Sequence, residues 1–449
     1  MAVFLKNTES YSPAKAIKII RNEMAEDHTV YIIEINLGPF KWNVCKRYNE
    51  FYELNEKLLG QIPSLDRDLL PKKKIFGNNS ESFVKKRQHQ LEIYLQSLFR
   101  SFETLPAVLL KFLEFHKYEI HGIVEVLSED FYEKGDQMLS SNNFSTLTTL
   151  QLNALCTRLQ LPEPTCGSYN MKRDLGHLLD FVTRVKFLQV VLGHSLPFGT
   201  SNIIPNELSY HFQHFKSLES LKFSNCRMER VKIEDNVKKH LKQLYVCKTL
   251  SALKEILMSG VHWTEDCSEM PTQLLDACSW PNVTLANFND NKIECIDDSI
   301  KLLPHLEQLS LVRNKLQEIE HLYHLSFLRS IDLSSNYISN LESLHIKLGN
   351  VTCLNLSRNR ISTLSGFQKM YSLQKLNLSY NSLLQKEEIY HLRQLPNLEY
   401  LDTRKNPMAK SEGYRVDVYE MFGERAQDVF LFFYFLVFSF YLLIVAIFR

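Results

Sequence analysis

The chain has almost no net charge. Lysine and arginine number 52 against 51 aspartate and glutamate, a formal charge of +1 over 449 residues. No global field therefore draws it toward nucleic acid. The nine cysteines are scattered, and no Cys-x-x-Cys pair occurs, which excludes the usual spacing of a zinc site or a dithiol motif. Several of these cysteines fall on expected buried strands, where a free thiol behaves as a small apolar group. The first twenty residues lack a basic start followed by an apolar run, so no secretory signal is read and the body of the chain is expected in the cytosol. Triplets such as Asn355-Leu356-Ser357 are then not glycan acceptors. A Gly-rich phosphate loop, His-Glu-x-x-His and Gly-x-Ser-x-Gly are also missing. His321 and His324 read as exposed residues, not metal ligands. No enzymatic activity, cofactor or metal is expected.

The chain does contain a repeat. Asn291, Asn314, Asn336, Asn359 and Asn381 recur at intervals of 22 or 23 residues. Each closes the same frame, as in Leu306-x-x-Leu309-x-Leu311-x-x-Asn314-x-Leu316. A degenerate copy surrounds Asn406. Weaker ones hold Leu218, Leu221 and Phe223 with Cys226 in the asparagine slot, then Leu241, Leu244 and Val246. The stretch 249–282 reads as an irregular insertion. A period this short cannot close a core of its own, so each copy must bury its leucines against its neighbours. The frame resembles the leucine-rich repeat. Leu-x-Leu predicts a short strand with one face buried. The asparagine amide is expected to satisfy backbone groups of adjacent turns. Apolar residues at helical spacing, such as Leu316, Ile319, Leu322 and Leu325, predict short helical segments on the opposite side. The outward strand positions, Arg313, Arg358, Lys375, Tyr380, Arg404 and Lys405, read as a modestly basic protein-binding face.

The first 120 residues have a different pattern. Three strands are expected over 16–22, 29–36 and 41–47, followed by helices over 49–59, 83–99 and 106–115. Lys46 and Arg47 form one basic cluster. Lys72, Lys73, Lys74, Lys85, Lys86 and Arg87 form another, with apolar Ile75 and Phe76 between them on an expected exposed loop. Charge around an apolar tip is the composition of a peripheral membrane reader.

Arg47-Tyr48-Asn49-Glu50-Phe51 resembles the Arg-Tyr-x-x-Phe signature of phox-homology (PX) domains. Leu70-Pro71-Lys72-Lys73 resembles the end of that family's proline loop, with Asp68 in the position of its first proline. Arg87-x-x-x-Leu91-x-x-Tyr94-Leu95 resembles its later arginine helix. The resemblance implies a phosphoinositide pocket. Arg47 would hold the 3-phosphate through paired donors, Tyr48 would pack under the inositol ring, and Lys73 or Lys74 would meet the phosphodiester. Arg87 would bond ring hydroxyls, Phe51 would be core, and Ile75 and Phe76 would enter the membrane.

Several further segments, among them Thr29-Val30-Tyr31-Ile32-Ile33, Pro197-Phe198-Gly199-Thr200-Ser201-Asn202-Ile203 and Leu348-Gly349-Asn350, resemble a family of scaffolds that join a PX domain to leucine-rich repeats. That resemblance implies a cytoplasmic protein, peripheral on early or recycling endosomes, that binds phosphatidylinositol 3-phosphate membranes and restrains cell migration. Its partners would be Rac-type GTPases, their effector kinases and integrin tails. The alternative is a soluble or tail-anchored repeat adaptor whose PX domain does not read lipid.

The fold class expected is a multidomain α+β chain. A PX domain with a three-stranded sheet and helices fills 11–120, a helical linker or amino-terminal cap 121–212, repeats 213–410 and a cap 411–428. The last segment, 429–448, is twenty residues without a charge, long enough for a transmembrane helix.

Overall fold

The computed structural model describes residues 15–25, 28–73, 80–102, 105–161, 171–192, 197–259 and 278–432. Two compact units account for them. The first holds Met1–Val185 with Val190–Phe215, and the second Lys186–Gln189 with Lys216–Arg449.

In the first unit, β1 (Lys15–Ala25), β2 (His28–Leu37) and β3 (Phe40–Arg47) form an antiparallel sheet in sequential order. β1 runs three residues beyond expectation. Its polar end, Asn22 to Ala25, is held by pairing with Tyr31 to His28 of β2. Alternation buries Ile17, Ile19, Ile33, Ile35, Trp42 and Val44. Helix α1 (Tyr48–Gln61) begins where Glu50 reaches back to accept the Arg47 N–H at 2.9 Å. It buries Phe51, Leu54 and Leu58. Helix α2 (Glu81–Ser101) buries Val84, Leu91, Tyr94, Leu95 and Leu98, with Arg87 on the same face. The helix expected over 106–115 is broken into α3 (Ala107–Phe112) and α4 (Phe115–Tyr118). At the break Glu114 is left-handed, with φ 56°, and the Leu113 carbonyl turns inward to accept the Trp42 indole N–H at 2.9 Å.

A three-stranded sheet has two open edges, each a row of unpaired backbone groups. Both are covered. Along β1, α2 supplies side chains: Glu92 accepts the Ile19 N–H at 2.9 Å, while Gln88 and Gln96 donate to the Ile19 and Ile17 carbonyls at 2.9 and 3.3 Å. Along β3 the cover comes from about 160 residues downstream. Asn202 donates its backbone N–H to the Lys41 carbonyl at 2.9 Å, and its side chain accepts from the Lys41 N–H at 2.7 Å and donates to the Pro39 carbonyl at 2.9 Å. The Asn43 N–H donates to the Thr200 carbonyl at 3.2 Å, and the Thr200 hydroxyl donates to the Asn43 carbonyl. Phe198 packs against Tyr118, whose ring stacks on Trp42. Gly199, at φ 58°, lies so close to Tyr118 that a Cβ would come within 2.5 Å of its hydroxyl. The region expected as a linker thus includes a strap that completes the amino-terminal sheet. Helices α5 (Ile120–Ser140), α6 (Thr149–Gln160) and α7 (Leu175–Arg184) belong to the same unit.

The second unit is a solenoid. Its strands Ser220–Ser224, Gln243–Cys247, Leu285–Asn287, Gln308–Ser310, Ser330–Asp332, Cys353–Asn355, Lys375–Asn377, Tyr400–Asp402 and Phe430–Phe432 pair in parallel, each with the next. The repeat asparagines form a continuous internal ladder. Asn336 shows the pattern. Its side-chain oxygen accepts the Leu316 N–H at 3.1 Å, and its amide donates to the Leu311 and Leu333 carbonyls at 2.9 and 3.0 Å. Asn314, Asn359, Asn381 and Asn406 do the same between their own turns. The copy around Asn406 therefore works as well as the others, and that side chain is fully buried. The residue before each ladder position is left-handed in all described turns, from Asn225 and Lys248 to Tyr380 and Lys405, with φ between 54° and 60°. Such a conformation costs an ordinary residue about 1–2 kcal/mol, and the ladder bonds on both sides hold it.

The irregular stretch expected from 249 begins too early. Thr249 occupies the ladder slot. Its hydroxyl accepts the Cys226 N–H at 3.3 Å and donates to the Cys247 carbonyl at 2.8 Å, while Asn291 accepts the N–H groups of Thr249 and Leu250. Leu250, Leu253, Ile256 and Leu257 are buried. Because Leu285–Asn287 pairs directly with Gln243–Cys247, the extra length between Thr249 and Asn291 is an insertion within one turn.

The carboxyl-terminal expectation needs correction. Past the helix Tyr414–Phe422 the chain does not leave the solenoid: Val429 is buried, and Phe430–Phe432 pairs with Tyr400–Asp402 as a further strand. Residues Phe430–Phe432 of the supposed membrane span therefore belong to the sheet, paired along one edge with Tyr400–Asp402. Among the described residues no helix is long and apolar enough to cross a membrane. The rest of 429–448 lies outside the described residues.

Two outcomes test these contacts. Asn336→Ala strands the buried Leu316 N–H, at about 1–3 kcal/mol, while the Leu311 and Leu333 carbonyls lose one donor each and keep Asn314 and Asn359. Chemical denaturation should show a loss of about 1–3 kcal/mol, against about 0.5 kcal/mol or less for the exposed Asn350→Ala. Asn202→Ala should speed hydrogen exchange at the Lys41 and Asn43 amides at least about tenfold, leaving the β1–β2 amides unchanged.

Candidate functional site

The site lies where β3 runs into α1 and faces α2. Arg47 is exposed at that junction, and among the described residues its guanidinium has no hydrogen bond or ion pair. Lys46, its neighbour, is committed elsewhere: it faces Glu50 at 3.4 Å and Glu114 at 3.9 Å and lies over the Phe112 ring. Only one of this basic pair is available to a ligand.

Arg87 is the unusual residue. It is 7 % exposed, on the apolar face of α2. Its guanidinium carbon sits 4.4 Å from the Tyr48 ring centroid and 4.3 Å from that of Phe83, so it is held between two rings. Burial raises the Tyr31 hydroxyl above its ordinary value, and the Arg87 charge and hydrogen bond oppose that shift. Tyr48 shows the same opposition, with burial the larger effect. Among the described residues the buried Arg87 Nε and Nη2 have no hydrogen-bond partner. Unmet donors on a buried cation are costly, on the order of 1–3 kcal/mol each or more. An anionic or hydroxyl-bearing ligand would recover that loss.

Tyr48 has two roles. Beneath Arg87 its ring is already covered, and its hydroxyl donates to the Pro71 carbonyl at 2.5 Å. It therefore ties the loop bearing Lys72 and Lys73 to α1. Lys73 is exposed, and among the described residues its ammonium has no ion pair or hydrogen bond. Asp68, the departure from the proline-loop pattern, faces Lys72 at 3.3 Å. Its charge is offset by that lysine, and Lys73 has no acid partner among the described residues. Phe51 is fully buried, as core. Lys74, Ile75 and Phe76 lie outside the described residues. Sequence reasoning missed Phe83 and Tyr31. Phe83 stands four residues before Arg87, the spacing that brings helical side chains together. Tyr31 carried no such signal.

The outer face of the solenoid sheet is less basic than expected. Arg313 is bound by Asp290, with one contact at 2.8 Å, and Arg404 by Asp402 at 2.6 Å. Two of the strip's five cations are thus neutralised within the fold. Arg358 instead lies on the Tyr380 ring, and Lys375 is half-buried. Between them runs a column of small polar side chains, Asn287, Ser310, Asp332, Asn355 and Asn377, several of which cap backbone amides two residues on. Burial raises the Asp332 carboxyl above its ordinary range, against hydrogen bonds from Ser334 and Asn355.

Removing the Tyr48 tether tests the loop assignment. Tyr48→Phe should leave the helix content unchanged by circular dichroism yet speed limited tryptic cleavage after Lys72 and Lys73 several-fold.

Residues 37–116 match the PX domain family and residues 326–383 the leucine rich repeat family. Among curated proteins, the chain is 30% identical over 306 residues to serine/threonine-protein kinase 11-interacting protein of Gallus gallus, covering 65% of this chain and 27% of that one. The human protein of that name is 26% identical over 257 residues, covering 57% and 22%. The chain spans about a quarter of the length of these relatives. Among solved structures, a designed CISK-PX domain is 31% identical and covers 22% of this chain and 97% of its own, with a TM-score of 0.21. A Leptospira interrogans leucine-rich-repeat protein is 19% identical and covers 57% and 68%, with a TM-score of 0.37. The chain thus carries a PX domain in its amino-terminal part and leucine-rich repeats in its carboxyl-terminal part.

Proposed function

We propose that this chain is a phosphoinositide-reading scaffold similar to nischarin. Its PX domain takes the headgroup of phosphatidylinositol 3-phosphate on endosomal membranes, and its repeats hold signalling proteins. The observation carrying the lipid reading is Arg87, a nearly buried guanidinium with two unmet donors beside exposed, unpaired Arg47 and Lys73. Arg47 grips the phosphate with its paired donors. Lys73 meets the phosphodiester, and Arg87 bonds ring hydroxyls through Nε and Nη2. Tyr48 acts beneath Arg87, supporting it and the lysine loop, so the inositol ring meets the edge of that stack. Lys74 adds charge, while Ile75 and Phe76 enter the interface.

The partners proposed for the solenoid are Rac-type GTPases, their effector kinases and integrin tails, in keeping with restraint of cell migration. The chicken and human relatives are named for interaction with a serine/threonine-protein kinase, which favours a kinase among them. No catalytic step is assigned to the chain itself.

Liposome flotation of the full chain tests the pocket. With about 0.15 M salt, Arg47→Ala should weaken binding to vesicles containing phosphatidylinositol 3-phosphate at least about tenfold and leave the weak binding to phosphatidylinositol vesicles unchanged. Equal binding by variant and parent would refute the pocket and favour an adaptor whose PX domain does not read lipid.

A further inference from the structure

The cations flanking the internal ladder of the solenoid fall into two groups. Several have an acid partner built into the fold. Arg313 is held by Asp290 one turn before it, Lys315 faces Glu294 at 3.1 Å, and Arg404 faces Asp402 at 2.6 Å. Arg358 and Arg360, on either side of Asn359, are different. Both are exposed, and among the described residues neither has an ion pair or a side-chain hydrogen bond. The equivalent positions one turn away are Ser335 and Tyr380 for Arg358, and Tyr337 and Ser382 for Arg360. None is acidic.

In place of carboxylates, each arginine has a ring. The Arg358 guanidinium carbon lies 4.2 Å from the Tyr380 centroid, and that of Arg360 lies 4.4 Å from the Tyr337 centroid. Arg358 leans on the following turn and Arg360 on the preceding one. Tyr380 and Tyr337 are 40% and 44% exposed. Arg358 and Tyr380 also occupy left-handed backbone positions, fixed by the ladder asparagines that follow them. Stacking holds a guanidinium's plane still but leaves the donors on its edge free. A fork held in place loses less side-chain freedom on binding than a free one. Arginine and tyrosine in desolvatable clusters are also the residues on which protein interfaces concentrate their energy.

We propose that the Arg358–Tyr380 and Arg360–Tyr337 stacks form a docking surface for an acidic segment of a partner protein. Each guanidinium edge takes a carboxylate in a two-pronged bond, and the exposed parts of the tyrosine rings take the apolar side chains between those acids. The absence of acids from the positions facing these arginines matches a partner that brings its own. This inference rests on the reading of the solenoid as a protein-binding element and adds where the partner sits and what chemistry it offers.

The test uses the full chain and a fluorescein-labelled dodecapeptide of Glu, Gly and Leu, beside a counterpart with Gln for every Glu. By anisotropy at about 50 mM salt, the Glu peptide should bind at least about tenfold tighter than the Gln peptide. The R358A/R360A variant should lose that preference, whereas Lys315→Ala, which removes an equal charge from a paired lysine, should change the affinity less than about twofold. No binding of the Glu peptide, equal binding of both peptides, or an unchanged double variant would overturn the proposal. Cross-linking of cell proteins to the solenoid separates the two readings. Partners kept equally by the parent chain and R358A/R360A would refute this surface alone, whereas a parent chain that cross-links none would refute the scaffold reading as well.

Discussion

The fold depends on one constraint: a backbone N–H or carbonyl withdrawn from water must find a partner. A leucine-rich turn is too short to meet that need with helix or sheet alone, because its interior bends expose groups that neither ladder reaches. Asn314, Asn336, Asn359, Asn381 and Asn406 meet it by serving two turns at once, each accepting from one and donating to both. A side chain that both donates and accepts is required, which is why Thr249 can stand in and an aliphatic residue cannot. The same rule governs the first unit, where Gln88, Glu92 and Gln96 close one sheet edge and Asn202 closes the other. Against this background Arg87, whose Nε and Nη2 have no hydrogen-bond partner among the described residues, is one exception. Its position beside Arg47 and Lys73 makes that exception a functional signal.

Much of this was legible in the sequence because it is periodic. The solenoid strands follow from Leu-x-Leu alternation, and the ladder follows from the spacing of the asparagines. The PX strands and helices follow from patterning plus a short signature around Arg47. Three kinds of feature were not legible. Thr249 escaped because a threonine in the slot keeps the hydrogen bonds but breaks the pattern of residue names. The strap escaped because its partner, Lys41 to Asn43, lies 157 to 161 residues away, and no local pattern encodes such a contact. The strand Phe430–Phe432 escaped because an apolar run reads equally as a buried strand or the start of a membrane helix. Pairing with Tyr400–Asp402 decides the matter for those residues.

The candidate sites divide in the same way. Counting basic residues groups Arg47, Lys73 and Arg87 with their neighbours and treats all lysines and arginines alike. What distinguishes them is what each already touches. Lys46 and Lys72 are balanced by acids, Arg313 and Arg404 likewise, and only the remainder keep donors for a ligand. That sorting needs the fold, since Asp290 reaches Arg313 only because one turn stacks on the next.

The strap has a consequence for how the chain is made. β3 leaves the ribosome long before Thr200 and Asn202, which must later seal its edge. At roughly 5–20 residues per second, that interval is about ten to thirty seconds. During it the nascent amino-terminal sheet carries an open, pairing-competent margin beside Trp42 and Tyr118. Such a margin invites wrong partners on a crowded polysome. Until translation has passed Asn202, the amino-terminal sheet of this chain therefore remains incomplete along β3.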